Sequence, residues 1–408
     1  MRETPSVYCS GPDAVRDAIG RLRPNRSRIP LTRIVDVLAT AFERWLARGF
    51  ADREAALAQI AASSGWSREL LDESIDALLA PFTRDALISL ASTLMPRARL
   101  GGFIMPGNAP GAGMHELVAS LLAGSAALIK TSQREPHFFA AFMQTLRAID
   151  PGVGSLLEVI SFGREREDLS HAMLTKCDFV VALGDDASIA HLSGNRRIFG
   201  FGSRTSGALI SLAPPANVAR LALSLARDVV LFEQQGCLSP HHVFVADADL
   251  ASMHDFTTTL CDVLISFATT LPGAKLSFNS AAAIRRLRER ARWRSIGGHP
   301  IELFEGGNMS WTMVLEPDAR FTLSPGYRCV TVSAVRDHND LAIRVAPVAG
   351  RLEAFALSVP AHARARFVDV LAGAGVTYVC DPGKMQSPPV NWPHGGGAFL
   401  DFLAVHDE

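Results

Sequence analysis

The sequence predicts an α/β protein: two α/β domains with parallel sheets, preceded by a helical N-terminal region. Three observations predict it. Residues 1–95 carry apolar positions at three- and four-residue spacing and capping residues where helices would start. Beyond them, short apolar runs alternate with amphipathic helical patterns through short connections, the signature of a mostly parallel sheet wrapped by helices. The 408 residues suffice for two or three domains with sizeable cores.

The elements follow in order. Ile34 to Phe50 places Ile34, Leu38, Ala41, Phe42, Trp45 and Leu46 on one face, with Gly49 as a stop. Ser67 is positioned to cap a second helix whose apolar face is Leu70, Leu71, Ile75, Leu78 and Leu79, and Thr83 to cap a third. The pattern then changes. Gly102–Met105 reads as a buried strand, followed by the loop Pro106–Gly111, a helix bearing Met114, Leu117, Val118, Leu121 and Leu122, and a strand from Ala126 to Lys130. That is a βαβ unit. Further strands are expected at Leu156–Ile160 and Asp178–Leu183, with helices after Pro136 and near Leu169. Ligands on such sheets bind beyond the carboxyl ends of the strands, where Asn108, Lys130, Gly163 and Gly184 fall. A helix from Val218 to Phe232 leads into Glu233-Gln234-Gln235-Gly236-Cys237. After it come a strand at His242–Ala246, a helix near Leu250–Phe267 and strands near Trp311–Leu315 and Cys329–Val335. These divide the chain into a helical region (1–95), a first α/β domain (96–235), a second α/β domain that holds Cys237 (236–370) and a tail (371–408). The tail returns to the first α/β domain or lies at a dimer interface. Its last apolar stretch, Ala398–Val405, is a candidate for pairing with another subunit.

Composition narrows the function classes. Hydrophobic residues are 48% and charged residues 20%, with a net charge of −1, so no overall field points to nucleic acid or to a membrane surface. No apolar run reaches the roughly 20 residues that span a bilayer, and the first residues lack the apolar core of a signal peptide, so a cytoplasmic protein is expected. The six cysteines form no CxxC pair and none sits at zinc-finger spacing with histidine, so no metal is expected.

Cys237 is the centre of the chemistry. It follows a long helix, and Gly236 allows close backbone approach to a ligand. A thiolate exchanges one thioester for another at little cost in energy. Most cysteines taken alone are buried and inert, so the weight rests on context. Glu233–Cys237 followed by a strand resembles the nucleophile region of the aldehyde dehydrogenase superfamily, with Gln235 two before the cysteine. Pro106-Gly107-Asn108 resembles the segment whose Asn helps to form an oxyanion hole. Ala123–Lys130 with Pro136 resembles the strand whose Lys holds the adenosine ribose. Ser161-Phe162-Gly163 and Ala182-Leu183-Gly184 match later glycine turns in order and spacing. Within that superfamily the chain is similar to the bacterial luminescence fatty acyl reductase (LuxC-like) family over most of its length, most specifically in Glu233–Pro240 and in the tail Pro388–Gly397. The resemblance implies an aldehyde-dehydrogenase-like fold and reduction of long-chain acyl thioesters with NADPH through an acyl-cysteine.

The resemblance also implies roles. Cys237 would be the nucleophile and Asn108 an oxyanion donor, with Lys130, Ser132, Gln133, Arg134, Gly163 and Gly184 around the cofactor. Aldehyde-oxidising relatives carry a water-activating Glu in a segment matching Gly194–Thr205, which has no carboxylate here. That absence favours reduction over hydrolysis of the acyl-enzyme. Glu233 is open to two roles, a structural one at the helix end or a catalytic base. His394 is either a catalytic acid or a structural residue of an ordered tail. The position after Lys130 that is commonly Glu in NAD-using relatives is Gln133, with Arg134 next, which accommodates a 2′-phosphate and favours NADPH. Asp185 stands where a small hydroxyl residue often meets the diphosphate, a departure from the pattern. The Ser324–Cys329 segment lacks the usual Glu of a loop that touches the nicotinamide ribose. The arginine-rich helix Ile284–Arg294 is either a solvated face or a receiver for coenzyme A phosphates or an acidic acyl-carrier protein.

Acyl-CoA or an acyl-carrier protein is the expected substrate, and a homo-oligomer or a complex with a synthetase the expected assembly. Two other functions stay open: a cysteine acyltransferase or thioesterase without redox chemistry, and a non-catalytic subunit that stabilises a partner.

Overall fold

A computed structural model of the chain describes residues 8–22, 29–192, 197–214 and 216–404. The chain divides into two compact units: residues 1–65, 75–203 and 389–408 form the first, and residues 66–74 and 204–388 the second.

The first unit opens with helices α1 (Pro12–Leu22), α2 (Leu31–Leu46), α3 (Ala51–Ser64), α4 (Arg68–Leu79, its last residues only) and α5 (Arg84–Ala91). Ser67 and Thr83 cap α4 and α5, accepting from Leu70 N–H and Ala86 N–H. The expected helix to Phe50 ends at Leu46, and α3 was not anticipated. Trp45 and Phe42 on α2 pack against Phe138 and Phe142, which joins the helical layer to the helix His137–Ile149. Then come β1 (Leu100–Ile104), α6 (Met114–Leu122), β2 (Ala126–Thr131), α7 (His137–Ile149), the short α8 (Pro151–Gly154), β3 (Leu157–Ser161), α9 (Glu167–Leu174), β4 (Phe179–Leu183), the short α10 (Asp186–Ala190) and β5 (Arg197–Phe201). The sheet is parallel in the order β3-β2-β1-β4-β5. Ile104, Lys130 and Ile160 are in register, so the loops after β1, β2 and β3 leave one edge side by side.

The second unit holds β6 (Thr205–Ser211), α11 (Val218–Val230), β7 (Pro240–Ala246), α12 (Leu250–Thr270), α13 (Phe278–Ile296), β8 (Glu302–Glu305), β9 (Thr312–Leu315), β10 (Cys329–Val335), α14 (His338–Val345), β11 (Leu352–Ser358), α15 (Ala361–Gly373) and β12 (Tyr378–Cys380). Its seven strands run β12-β11-β6-β7-β10-β9-β8, all parallel except β8. One face buries Leu209, Phe244, Phe355 and Leu371. The division falls after Ser203 and not at residue 235, because β6 pairs with β7 and β11 and so belongs to the second sheet.

Of the two places expected for the tail, residues 389–408 take the first and join the first unit, and Ala398–Ala404 forms a helix, α16. Its apolar side is used at home: Phe399 and Phe402 pack on Phe179 and Phe199, Arg99 lies over Phe402, and Leu403 O accepts from Met95 N–H. Val405 lies outside the described residues.

Candidate active site

Cys237 is half-buried in the turn that joins α11 to β7, at the amino-terminal edge of the second sheet. The helix expected to reach Phe232 stops at Val230, and Phe232, Glu233 and Gln234 follow with φ of 55°, 53° and 57°. A left-handed conformation costs an ordinary residue about 1–2 kcal/mol, so three in succession need bracing. A second run, Gly326, Tyr327 and Arg328, has φ of 78°, 54° and 61° and lies against the first. Tyr327 N–H donates to Glu233 O at 3.1 Å. Cys329 N–H donates to Gln234 Oε1 at 2.8 Å, and Gln234 Nε2 donates to Pro240 O and Cys329 O at 2.7 and 2.9 Å. Ser206 Oγ donates to Cys237 O at 2.7 Å, tying the backbone of Cys237 to β6.

Glu233 is buried, and its carboxylate accepts from the buried Arg328 guanidinium at 2.5 and 3.0 Å, while Arg328 also donates to Leu271 O. Burial pushes its carboxyl above the usual range, against the pull of Arg328 and an N–H from Ala274. Of the two roles open to Glu233, the geometry matches the positioning one, since work as a base would require breaking this ion pair. Gln235, the glutamine of the motif, donates from Nε2 to Glu233 O at 3.2 Å.

The remaining thiols are unsuited to nucleophilic work. Burial pushes Cys261, Cys329 and Cys380 up to about 12 and raises Cys9, and Cys177 is fully buried. His241 and His242, just after the nucleophile turn, are held neutral by burial at about 4 and about 3. Two residues escaped the sequence reading. Asp228 on α11 is buried, pushed up by desolvation to about 7, and accepts from Gly383 and Met385 N–H. Gln386 donates to Asp228 O and to Ser239 Oγ, both at 3.1 Å, which fixes the 383–386 segment two residues from the cysteine. A lone Asp and a lone Gln in a loop carried no pattern that could have singled them out.

In the first unit, Asn108 is exposed in the loop after β1. The loop is packed on the turn after β2: a Cβ on Gly107 would collide with Ser132 Oγ, so only glycine permits this approach. Lys130 is the last residue but one of β2, largely buried, its ammonium 5.3 Å from the Phe162 ring. Desolvation lowers its pKa, partly countered by Glu165. Gln133 and Arg134 are exposed in the turn. Gly163 lies two residues past β3, and the Glu165 carboxylate stands directly over its Cα. Gly184 follows β4. Next to it Asp185 caps α10, accepting from Ser188 N–H, and Asp186 accepts from Ser203 N–H. The segment matching the water-activating Glu lies partly outside the described residues; from Arg197 to Thr205 its own side chains include no carboxylate.

A family model, Acyl-CoA reductase (LuxC), matches residues 91–406. The chain belongs to the acyl-CoA reductase (LuxC) family. It is an oxidoreductase that reduces an acyl thioester to the aldehyde with a nicotinamide cofactor. Long-chain acyl-protein thioester reductase of Aliivibrio fischeri is 22% identical over 93% of this chain and 82% of its own. That of Photobacterium phosphoreum is 20% identical over 93% and 81%. The same-named protein of Photorhabdus luminescens is 25% identical over 74% of this chain and 62% of its own. Among solved structures, aldehyde dehydrogenase 21 of Physcomitrella patens superposes with a TM-score of 0.72 at 12% identity, over 97% of this chain and 89% of that one. An oxidoreductase of Marinobacter aquaeolei gives 0.69 at 14%, over 91% and 83%. The fold is that of aldehyde dehydrogenases. No helix among the described residues is long and apolar enough to cross a membrane.

For this acyl-CoA reductase (LuxC) chain, the parallel edge bearing Lys130, the Gly107–Ser132 approach and the two glycine turns fits the adenosine ribose half of such a cofactor. Asp185 and Asp186 place carboxylates at the start of α10, a poor environment for a diphosphate. His394 is buried between the rings of Phe201 and Trp392, each 4.2 Å away, with Nδ1 2.7 Å from Glu116 Oε1 on α6. Burial works against the Glu116 charge, but His394 and His115 outweigh it and its pKa is lowered. The His394 ring is thereby stacked on both faces and bonded at Nδ1, the arrangement of a structural clamp that fastens the tail to α6.

Proposed function

We propose that the chain reduces a long-chain fatty acyl thioester to the aldehyde with NADPH, by way of an acyl-enzyme on Cys237. The observation that carries this reading is the braced turn at 232–237, which spends three left-handed residues and a buried ion pair on presenting one thiol. Structural cysteines need no such device. The second unit is assigned to the nucleophile, the first to the cofactor.

The Cys237 thiolate attacks the thioester carbonyl, forming a C–S bond. The oxyanion accepts from the Cys237 backbone N–H and from the Asn108 amide, the role that the resemblance gives it. Collapse expels the carrier thiol, which takes a proton, and leaves the acyl group on Cys237. The cofactor, when bound, supplies a hydride. Addition of hydride and a proton to the acyl-cysteine gives a thiohemiacetal, whose collapse releases aldehyde and the Cys237 thiol. Lys130 and Ser132 would hold the adenosine ribose, and Arg134, with Gln133 in place of a carboxylate, would accept its 2′-phosphate. The name of its relatives, long-chain acyl-protein thioester reductase, supports the long acyl chain in this reading.

The test is NADPH oxidation and covalent labelling with radiolabelled long-chain acyl-CoA, on wild type and Cys237→Ala. Wild type should oxidise NADPH and form aldehyde, and Cys237→Ala should do neither and take up no label. Labelling of wild type without NADPH oxidation would instead identify a cysteine acyltransferase or thioesterase.

A further inference from the structure

Helix α13 is attached to its unit by one side only. Ile284, Arg288 and Ala291 are buried at four- and three-residue steps, and Arg288 donates to Thr312 Oγ1 and to Gly306 O and Trp311 O. The opposite side collects Phe278, Arg285, Arg286, Arg290, Trp293 and Ile296, which fall within one arc of the helix at its period of 3.6 residues. Phe278, Trp293 and Ile296 are 88%, 69% and 77% exposed, a high price in apolar surface for a helix with no partner. Arg285, Arg286 and Arg290 are exposed and have no ion-pair partner among the described residues, whereas Arg292 is taken by Glu289 and Glu305 and Arg294 by Glu316. A solvated helix face would alternate charges of both signs and carry no large apolar groups. This one carries one carboxylate, Glu289, already taken by Arg292, and is otherwise cationic and apolar together.

Its place in the fold connects it to the chemistry. Leu271 O accepts from Arg328, and Ala274 N–H donates to Glu233, so the segment that feeds α13 lies against the turn four residues before Cys237. Arg288 meets Thr312, the first residue of β9, so the turns of α13 before it continue toward the edge of the sheet from which Cys237 enters β7. The other end, at Arg294, reaches Glu316 just past β9. The 19 residues make a face about 28 Å long, enough for one helix of a partner to lie along it.

We propose that this face docks an acidic acyl-carrier protein, which presents the acyl thioester on a flexible arm to Cys237. The inference rests on the acyl-thioester reading above and adds the carrier to it. Three unpaired guanidiniums suit carboxylates, which they bind bidentately. The exposed Phe278 and Trp293 supply the apolar anchors on which such contacts concentrate. A coenzyme A thioester would have no use for an apolar face of this length.

The test uses the full chain carrying Arg285→Glu, Arg286→Glu and Arg290→Glu together, with Arg→Gln at the same positions as the milder variant. Labelled acyl-carrier protein is titrated by fluorescence anisotropy, and reduction is followed with acyl-carrier protein and with acyl-CoA. Carrier affinity should fall by about tenfold or more in the reversal and less in the neutral variant, and wild-type binding should weaken with salt. KM for the acyl-carrier protein should rise in parallel, with acyl-CoA kinetics unchanged. Carrier binding within twofold of wild type in the reversal would overturn the proposal. So would an equal rise in KM for acyl-CoA, which marks a phosphate site. Loss of binding to anionic vesicles, or a change of oligomeric state by light scattering, with carrier affinity intact, would give the face to a membrane or to a second copy. The anisotropy measurement needs no turnover, so an enzyme that reduced neither thioester would defeat the functional reading while docking was still decided.

Discussion

The turn that carries Cys237 and the strand edge that carries Lys130, proposed to hold the nucleophile and the cofactor, are built by opposite means. Around Cys237 the backbone is forced into two left-handed runs, and nearly every polar atom is spoken for: Glu233 by Arg328, Gln234 by Pro240 and Cys329, the Cys237 carbonyl by Ser206. Along the edge of the first sheet, ordinary strand ends emerge side by side, Asn108, Gln133 and Arg134 are exposed, and only Lys130 is largely buried. The difference teaches where rigidity is needed. On the proposed roles, the thiol must hold one direction through acylation and release, whereas a cofactor is grasped and let go at each turnover.

The comparison breaks most sharply at Glu233. Glu233→Gln leaves the Arg328 guanidinium buried and unpaired, which should lower stability by about 3–5 kcal/mol, read as a lower midpoint in denaturant. Fully retained stability with lost catalysis would make Glu233 a base after all. Asn108, on the open side, should behave in reverse. Asn108→Ala is expected to slow acylation by about a hundredfold, the usual loss for one oxyanion donor, with the denaturation midpoint and NADPH affinity nearly unchanged. An unaltered acylation rate in single-turnover labelling would remove Asn108 from the chemistry. The smallest effect sharpens the cofactor edge itself. NADPH should be preferred over NADH by about tenfold in kcat/KM, a difference of about 1.4 kcal/mol. Gln133→Glu should shrink or invert that ratio. Glu165→Gln should raise it, because the carboxylate over Gly163 opposes a 2′-phosphate. Steady-state kinetics with both cofactors decides; equal efficiencies in wild type would defeat the NADPH reading and leave Cys237 untouched.

Much of the architecture was legible because local pattern and global fold agree. The β1-α6-β2 unit, with its apolar spacing and Gly124 stop, reads directly, as do the Ser67 and Thr83 caps. Short or weakly patterned elements escaped: α3 is rich in alanine, and β8 and β12 are only four and three residues long. The α16 helix went unassigned although Phe399, Phe402 and Leu403 stand at helical spacing, because an apolar stretch near a chain end says nothing of which surface it covers. Cys237 and its motif stood out, but the pairing of Glu233 with Arg328 joins positions 95 residues apart, and no periodicity carries such a contact. Glu165 was missed for the converse reason: its effect on Lys130 crosses between neighbouring strands, β2 and β3.

The same 95-residue span bears on the order in which the enzyme becomes active. On a chain growing from its amino end, Cys237 is made long before Arg328 and Cys329 exist to brace the residues ahead of it. A left-handed run costs more than isolated residues can bear, so until those partners arrive the segment has little reason to adopt its final path. In the proposed mechanism the thiol is therefore set for attack only once the second sheet has closed from β7 to β10. A chain interrupted before residue 329 would carry the cysteine without the geometry that the proposal requires of it.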